Sequence, residues 1–247
     1  MGRRLTLMIV CIFSIQVLAG ERNYIHCDPA IAVEGAERAH LLEKLAESIT
    51  GKTILADFEK KYGSLERLLI QWDSVSYSRI TNATAGRGIA SRDTSDAPPS
   101  LVCVHLSHKL PDIEHIADLS HELTHATRLS LKVLRGDIES VDEFVRARLA
   151  ASGGEADAFG VECQVKREIL GQWDTLCAPY VKRDRSIENF DIEQVLADFY
   201  SGKLSASLTG ESYPKMLGRQ FGAILEKRAL KRDQIKYSAL ENKSSVH

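Results

Sequence analysis

Residues 121 to 125 read His-Glu-Leu-Thr-His, inside a run from Pro111 to Leu129 whose periodicity predicts one amphipathic helix. Residues four apart on a helix sit one above the other, so His121 and His125 project from the same face. Their imidazoles can then share one tetrahedral zinc ion. Glu122 is turned about 100° from His121, near enough to touch a water on that ion without binding the ion itself. On a helical wheel His121, His125, Asp118 and Glu122 fall in one sector, and Ile113, Ile116, Leu119 and Leu123 in another, with Ala126 beside Leu119. The rest of the chain must therefore cover an apolar back while serving a His/His/acid front. Pro111 suits the first turn, where its missing N–H costs nothing. The plainer alternative is a surface helix with two solvated histidines.

A catalytic zinc ion usually takes three protein ligands and keeps one position for water or substrate. Leu131 stands where the third histidine of a longer HExxHxxGxxH pattern would be, so a carboxylate from a downstream helix is expected. The best source is Gly153-Gly-Glu-Ala-Asp-Ala-Phe-Gly160, with Glu155 as the ligand. The intervening chain has room for a loop through Arg135 to Asp137, a helix from about Ser140 to Ala151, and a turn at the glycine pair. Small residues at Gly154, Ala156, Ala158 and Gly160 are expected to let the Glu155 helix pack closely on the histidine helix. Glu162 lies two turns beyond Glu155 on nearly the same face, and is either a ligand or a carboxylate behind one. Glu139 and Glu143 follow His125 closely for a chain that must reverse direction. Ordinary solvated charge is the commoner fate of any single acid.

The six residues His121-Glu-Leu-Thr-His-Ala126 resemble the active-site helix of thermolysin-type zinc metallopeptidases, the gluzincins. The later Glu-Ala-Asp-Ala run resembles compact bacterial metallopeptidase domains in which an HExxH helix is followed by such a segment. The similarity spans residues 40 to 175 and is specific only in these two motifs. It implies zinc held by His121 and His125, Glu122 as general base, and a glutamate from a later helix as third ligand. It further implies that Asp157 fixes a histidine ring, and that the strand before the zinc helix pairs with extended substrate. Related enzymes add a Tyr or His donor at the substrate carbonyl; Tyr180, Tyr200, Tyr213, His105 and His108 are available, and nothing ranks them. The chain departs from the pattern in two places. The Asn-Glu-x-x-Ser-Asp run of the thermolysin type is missing, and Gly153 stands four residues before Asp157, where several related families carry the ligand glutamate.

Arg3 and Arg4 precede an apolar run from Leu5 to Leu18, and Ala19 supplies a small residue before a cut. This pattern reads as a secretory signal peptide over residues 1–20, with no stable membrane insertion once it is removed. Export makes Cys27, Cys103, Cys163 and Cys177 candidates for two disulfides, with three pairings open. The chain carries 32 basic against 34 acidic residues, a near balance that argues against nucleic acid as a partner.

Further helices are expected over Glu34 to Ile49, Thr53 to Tyr62, Asp191 to Tyr200 and Tyr213 to Arg228. The basic end, Lys227 to Lys243, reads as a solvated helix face or frayed tail. Leu68 to Ile80 is β-prone, Thr81 to Ser100 reads as loop, and Leu101 to Leu106 as a strand. The expected architecture is α+β and predominantly helical. A small zincin-like domain over 21–180 has a short β-sheet, an active-site HExxH helix and a following glutamate-bearing helix. A helical extension over 181–247 packs on the same domain. The expected activity is an exported, periplasmic or secreted, zinc-dependent metallopeptidase, with Zn2+ as cofactor and a peptide or protein as substrate. The alternatives are a zinc amidase acting on cell-wall peptides and a non-enzymatic exported, disulfide-linked helical binding protein. Metal analysis of the purified chain separates the classes: both hydrolases require a full equivalent of zinc, whereas the binding protein carries less.

Overall fold

Ser48 breaks the leucine stripe of residues 34 to 49 into two helices, α1 (Gly35–Leu45) and α2 (Ile49–Tyr62). In a computed structural model of the chain, its hydroxyl accepts the Gly51 N–H at 2.7 Å, satisfying a donor that the first turn of α2 leaves open. Ile49 therefore starts the second helix, 76% exposed, instead of ending the first, and α2 begins four residues before Thr53. The described residues are 32–73, 77–81, 101–134, 137–184, 187–204 and 211–244. The leader expected over 1–20, Cys27 and the loop expected to Ser100, apart from Thr81, lie outside them.

The β-prone stretch divides into β1 (Leu68–Asp73) and β2 (Tyr77–Thr81), and β3 (Leu101–Ser107) inserts between them. β3 runs parallel to β1 and antiparallel to β2. Every residue of β3 after Leu101 is buried, as a central strand covered on both faces requires. The strand leads into α3 (Asp112–Arg128), which carries the His-Glu-Leu-Thr-His run and is buried continuously from Leu119 to Ala126. That burial removes the surface-helix alternative: the polar front is enclosed as completely as the apolar back. A short helix, α4 (Leu131–Leu134), precedes α5 (Val141–Ala150) and α6 (Glu155–Leu170). A hairpin of β4 (Val181–Asp184) and β5 (Ile187–Phe190) comes next, a feature absent from the sequence reading. The chain then forms α7 (Ile192–Ser201) and α8 (Tyr213–Ser244). α8 continues past Arg228 because the basic stretch is built from good helix formers.

Two apolar cores meet at α6. Val161 and Val165 join Leu45, Phe58, Ile70, Val104 and Leu123 in one, between α1, α2, the sheet and α3. Ala156, Phe159 and Cys163 join Leu149, Val195, Leu217 and Phe221 in the other. Residues after 180 thus share a core with residues 129–177, and a stacked Phe144–Phe221 pair, 4.0 Å between centroids, ties α5 to α8. Gly160 does not face the histidine helix as its small size suggests. A Cβ there would meet Ile192 and Phe190, so its size serves the hairpin and α7.

The C-terminal end of α3 is anchored from α2. Lys61 Nζ donates to the carbonyls of Ala126, Thr127 and Leu129 at 2.7, 2.9 and 3.0 Å, and the Tyr62 hydroxyl donates to Ala126 O at 2.7 Å. A cation there satisfies carbonyls that the helix end leaves open and complements the helix dipole. Cys163 and Cys177 form a disulfide, which realises one of the open pairings, and Cys103 is disulfide-bonded as well. Among the described residues no helix is long and apolar enough to cross a membrane.

The Cys163–Cys177 bridge closes a loop with a sequence separation of 14. Replacing both cysteines by alanine is expected to remove about 3 kcal/mol of unfolding free energy, read as a lower urea midpoint.

Candidate metal centre

The polar front of α3 faces α6, whose first residue is Glu155. His121 Nε2 and His125 Nε2 lie 3.1 Å apart, and Glu155 Oε2 lies 3.4 Å from the first and 3.3 Å from the second. Three ligand atoms held about 2.0–2.1 Å from a common tetrahedral centre stand roughly 3.3–3.4 Å from one another. The set therefore has the spacing of three corners of a metal tetrahedron, and all three residues are buried.

Hydrogen bonds behind the rings fix which nitrogens face inward. His125 Nδ1 donates to the Gly153 carbonyl at 2.7 Å, an oxygen that can only accept. His121 Nδ1 donates to the carboxylate Oε2 of Glu162 at 3.1 Å. With both Nδ1 atoms donating outward, the two Nε2 atoms converge on Glu155 Oε2, itself buried and, among the described residues, accepting no hydrogen bond. Three electron-rich atoms at such distances in a low-dielectric interior repel one another unless a cation sits between them. His121 registers this preference. Burial works against its imidazolium, but contacts with Glu155 and Glu162 and the charges of Glu162 and Glu122 raise its pKa to about 10. A proton answers part of that demand, and a divalent cation would answer all of it. Glu155 is held well below the usual carboxylate range: burial opposes ionisation, but the charges of His125 and Arg148 and contacts with both histidines overcome it.

The supports come from several elements. Glu162, two turns along α6 from Glu155, grips the far nitrogen of His121, so the two carboxylates bracket one ring. Behind Glu162 lies Lys166, only 1% exposed, with Nζ 3.3 Å from Glu162, 2.7 Å from Glu114 and 3.2 Å from Asp174. Arg148 on α5 donates to Glu155 Oε1 at 2.9 Å. Asp157 does not touch a histidine. Its carboxylate binds Arg128 of α3 at 3.1 and 3.2 Å and accepts the Gly153 N–H at 2.7 Å. It thus acts on His125 only through the Gly153 peptide.

Gly153 explains why no glutamate stands four residues before Asp157. Its φ of 77° favours glycine, and a Cβ there would overlap the Leu129 amide and lie 2.7 Å from Arg128 Cβ. A glutamate does not fit, and the acid enters two residues later, at the head of α6.

Glu122 is buried beside this group, and among the described residues no hydrogen bond holds its carboxylate. Glu139 and Glu143 are exposed on the surface. Of the residues available as carbonyl-oxygen donors, Tyr180 donates to Asp198 at 2.9 Å, Tyr200 is 49% exposed, and Tyr213 is buried in the second core with its ring 5.1 Å from that of Phe199. His105 lies 3.5 Å from the Asp73 carboxylate, and His108 bonds the Asp73 carbonyl at 2.6 Å. The geometry thus selects none of them. Arg148, Lys166 and the Gly153 carbonyl had no signal in the sequence, because single charged residues on helices and single glycines are too common to mark. Comparison with protein-family models, curated proteins and solved structures finds no match for this chain.

Gly153→Ala is expected to cost about 1–3 kcal/mol, from backbone strain and overlap with the end of α3. It should also loosen His125, so a thermal melt should fall and zinc retention on dialysis should drop. Unchanged values for both would contradict the packing described.

Proposed function

We propose that the chain is an exported zinc-dependent peptidase of the gluzincin kind, with His121, His125 and Glu155 as the metal ligands and Glu122 as general base. One observation carries this reading. Two imidazole nitrogens and a carboxylate oxygen converge at tetrahedral spacing, next to the buried Glu122 carboxylate, which no hydrogen bond holds among the described residues. The His121-Glu-Leu-Thr-His-Ala126 resemblance points the same way, and the Cys163–Cys177 disulfide suits an oxidising compartment.

A zinc ion bound there would polarise the substrate carbonyl and acidify a water molecule. Glu122 takes the proton from the attacking water and passes it to the departing amine nitrogen. Glu162 and the Gly153 carbonyl keep both imidazoles in the tautomer that turns Nε2 inward. Enclosure of the group keeps the local dielectric low, which strengthens each of these interactions. Short flexible peptides, which ask least of an enclosed site, are the first substrates to assay.

Glu122→Gln should keep a full complement of zinc and lower peptide cleavage by at least about 100-fold. Cleavage at the wild-type rate would remove Glu122 from the mechanism. Glu155→Ala should lower zinc content in elemental analysis; undiminished stoichiometry would shift the third-ligand role to Glu162.

A further inference from the structure

The geometry points to Arg148 as the positioning residue that makes Glu155 a one-oxygen ligand, an inference that rests on the metal-site reading above. Arg148 Nη2 donates to Oε1 at 2.9 Å, so that oxygen is committed to α5. Oε2 alone then faces the imidazoles, at 3.4 and 3.3 Å. A carboxylate with both oxygens open to one ion can chelate it and occupy the position that water and substrate require. Binding one oxygen elsewhere prevents this.

The turn between α5 and α6 holds the arrangement in place. A Cβ on Gly154 would lie 2.9 Å from the carbonyl oxygens of both Ala151 and Arg148, so the end of one helix and the start of the next are in backbone contact. Gly153, at φ 77°, reverses the chain and presents its carbonyl to His125. One short turn therefore sets the His125 ring and the spacing between Arg148 and Glu155 together.

The Arg148 side chain is largely buried and Glu155 wholly so, which leaves little water to compete for Oε1. Arg148 Nε is buried and, among the described residues, makes no hydrogen bond. The contact thus uses one terminal nitrogen, not the forked pair that distinguishes arginine from lysine. Positive charge and reach are what the position needs, and lysine supplies both in reduced form.

The test uses the full chain and three proteins: wild type, Arg148→Met and Arg148→Lys. Zinc affinity is measured by competition with a chelating dye, and coordination by the visible absorption of bound cobalt, strong for four ligands and weak for more. Arg148→Met is expected to lower zinc affinity by about 10–100-fold and to weaken the cobalt absorption as Oε1 joins the ion. Arg148→Lys is expected to recover most of both. A role in folding alone would lower the thermal midpoint and leave the cobalt spectrum of the loaded protein unchanged, and that result overturns the inference. So does a lysine variant that melts like wild type but binds metal like the methionine variant. If Arg148→Met does not fold, Arg148→Gln, which keeps a donor without the charge, replaces it in the same assays with the same two outcomes. Wild-type chain that binds zinc but cleaves no peptide defeats the peptidase reading and leaves this one intact; wild-type chain that takes up neither zinc nor cobalt defeats both.

Discussion

Convergence of His121 Nε2, His125 Nε2 and Glu155 Oε2 in a buried interior calls for a positive charge among them, and elements from across the fold answer that demand. Buried carboxylates and imidazole lone pairs are not brought this close without something to hold them. α3 and α6 are pressed together through Leu119, Leu123, Val161 and Val165 in one core, and Phe159 and Cys163 fix the other face of α6 in the second core. The cores hold the helices in place, and the polar supports direct which atoms face inward.

Those supports are distributed so that no single helix sets the site. α2 anchors the end of α3 through Lys61 and Tyr62, and α5 supplies Arg148. α6 supplies Glu155, Glu162 and Lys166, and the disulfide ties α6 to the segment that carries Asp174. Arg128 and Asp157 bind α3 to the turn that presents the Gly153 carbonyl. Buried charge is costly unless paired, so removing any one member leaves its partner exposed to that cost. Substitutions in this set are accordingly expected to be non-additive.

Legibility in the sequence followed the range of the interactions. The histidine helix, the central strand, α5 and the Glu155 helix are readable because each carries a local periodicity or a punctuating residue, such as Pro111, Ser140 or the Gly153–Gly154 pair. The split at Ser48 was missed because the leucine stripe continues through it, while a single hydroxyl cap decides the break. The β4–β5 hairpin was missed because its four-residue strands have too little alternation to register. The neighbour of Gly160 is not legible, since a small residue announces close approach but not by what.

By itself the chain settled that His121 and His125 share one face and that Glu122 lies beside them, because helix geometry fixes neighbours one turn apart whatever surrounds them. It also narrowed the third acid to a few downstream residues. Only the folded structure chose Glu155 over Glu162 and Asp157 as the acid that converges with the histidines, and revealed Arg148 and the Gly153 carbonyl as their supports. Those choices turn on differences of an ångström between atoms on separate helices. Packing of two cores against α6 sets such distances, and no local pattern along the chain encodes them.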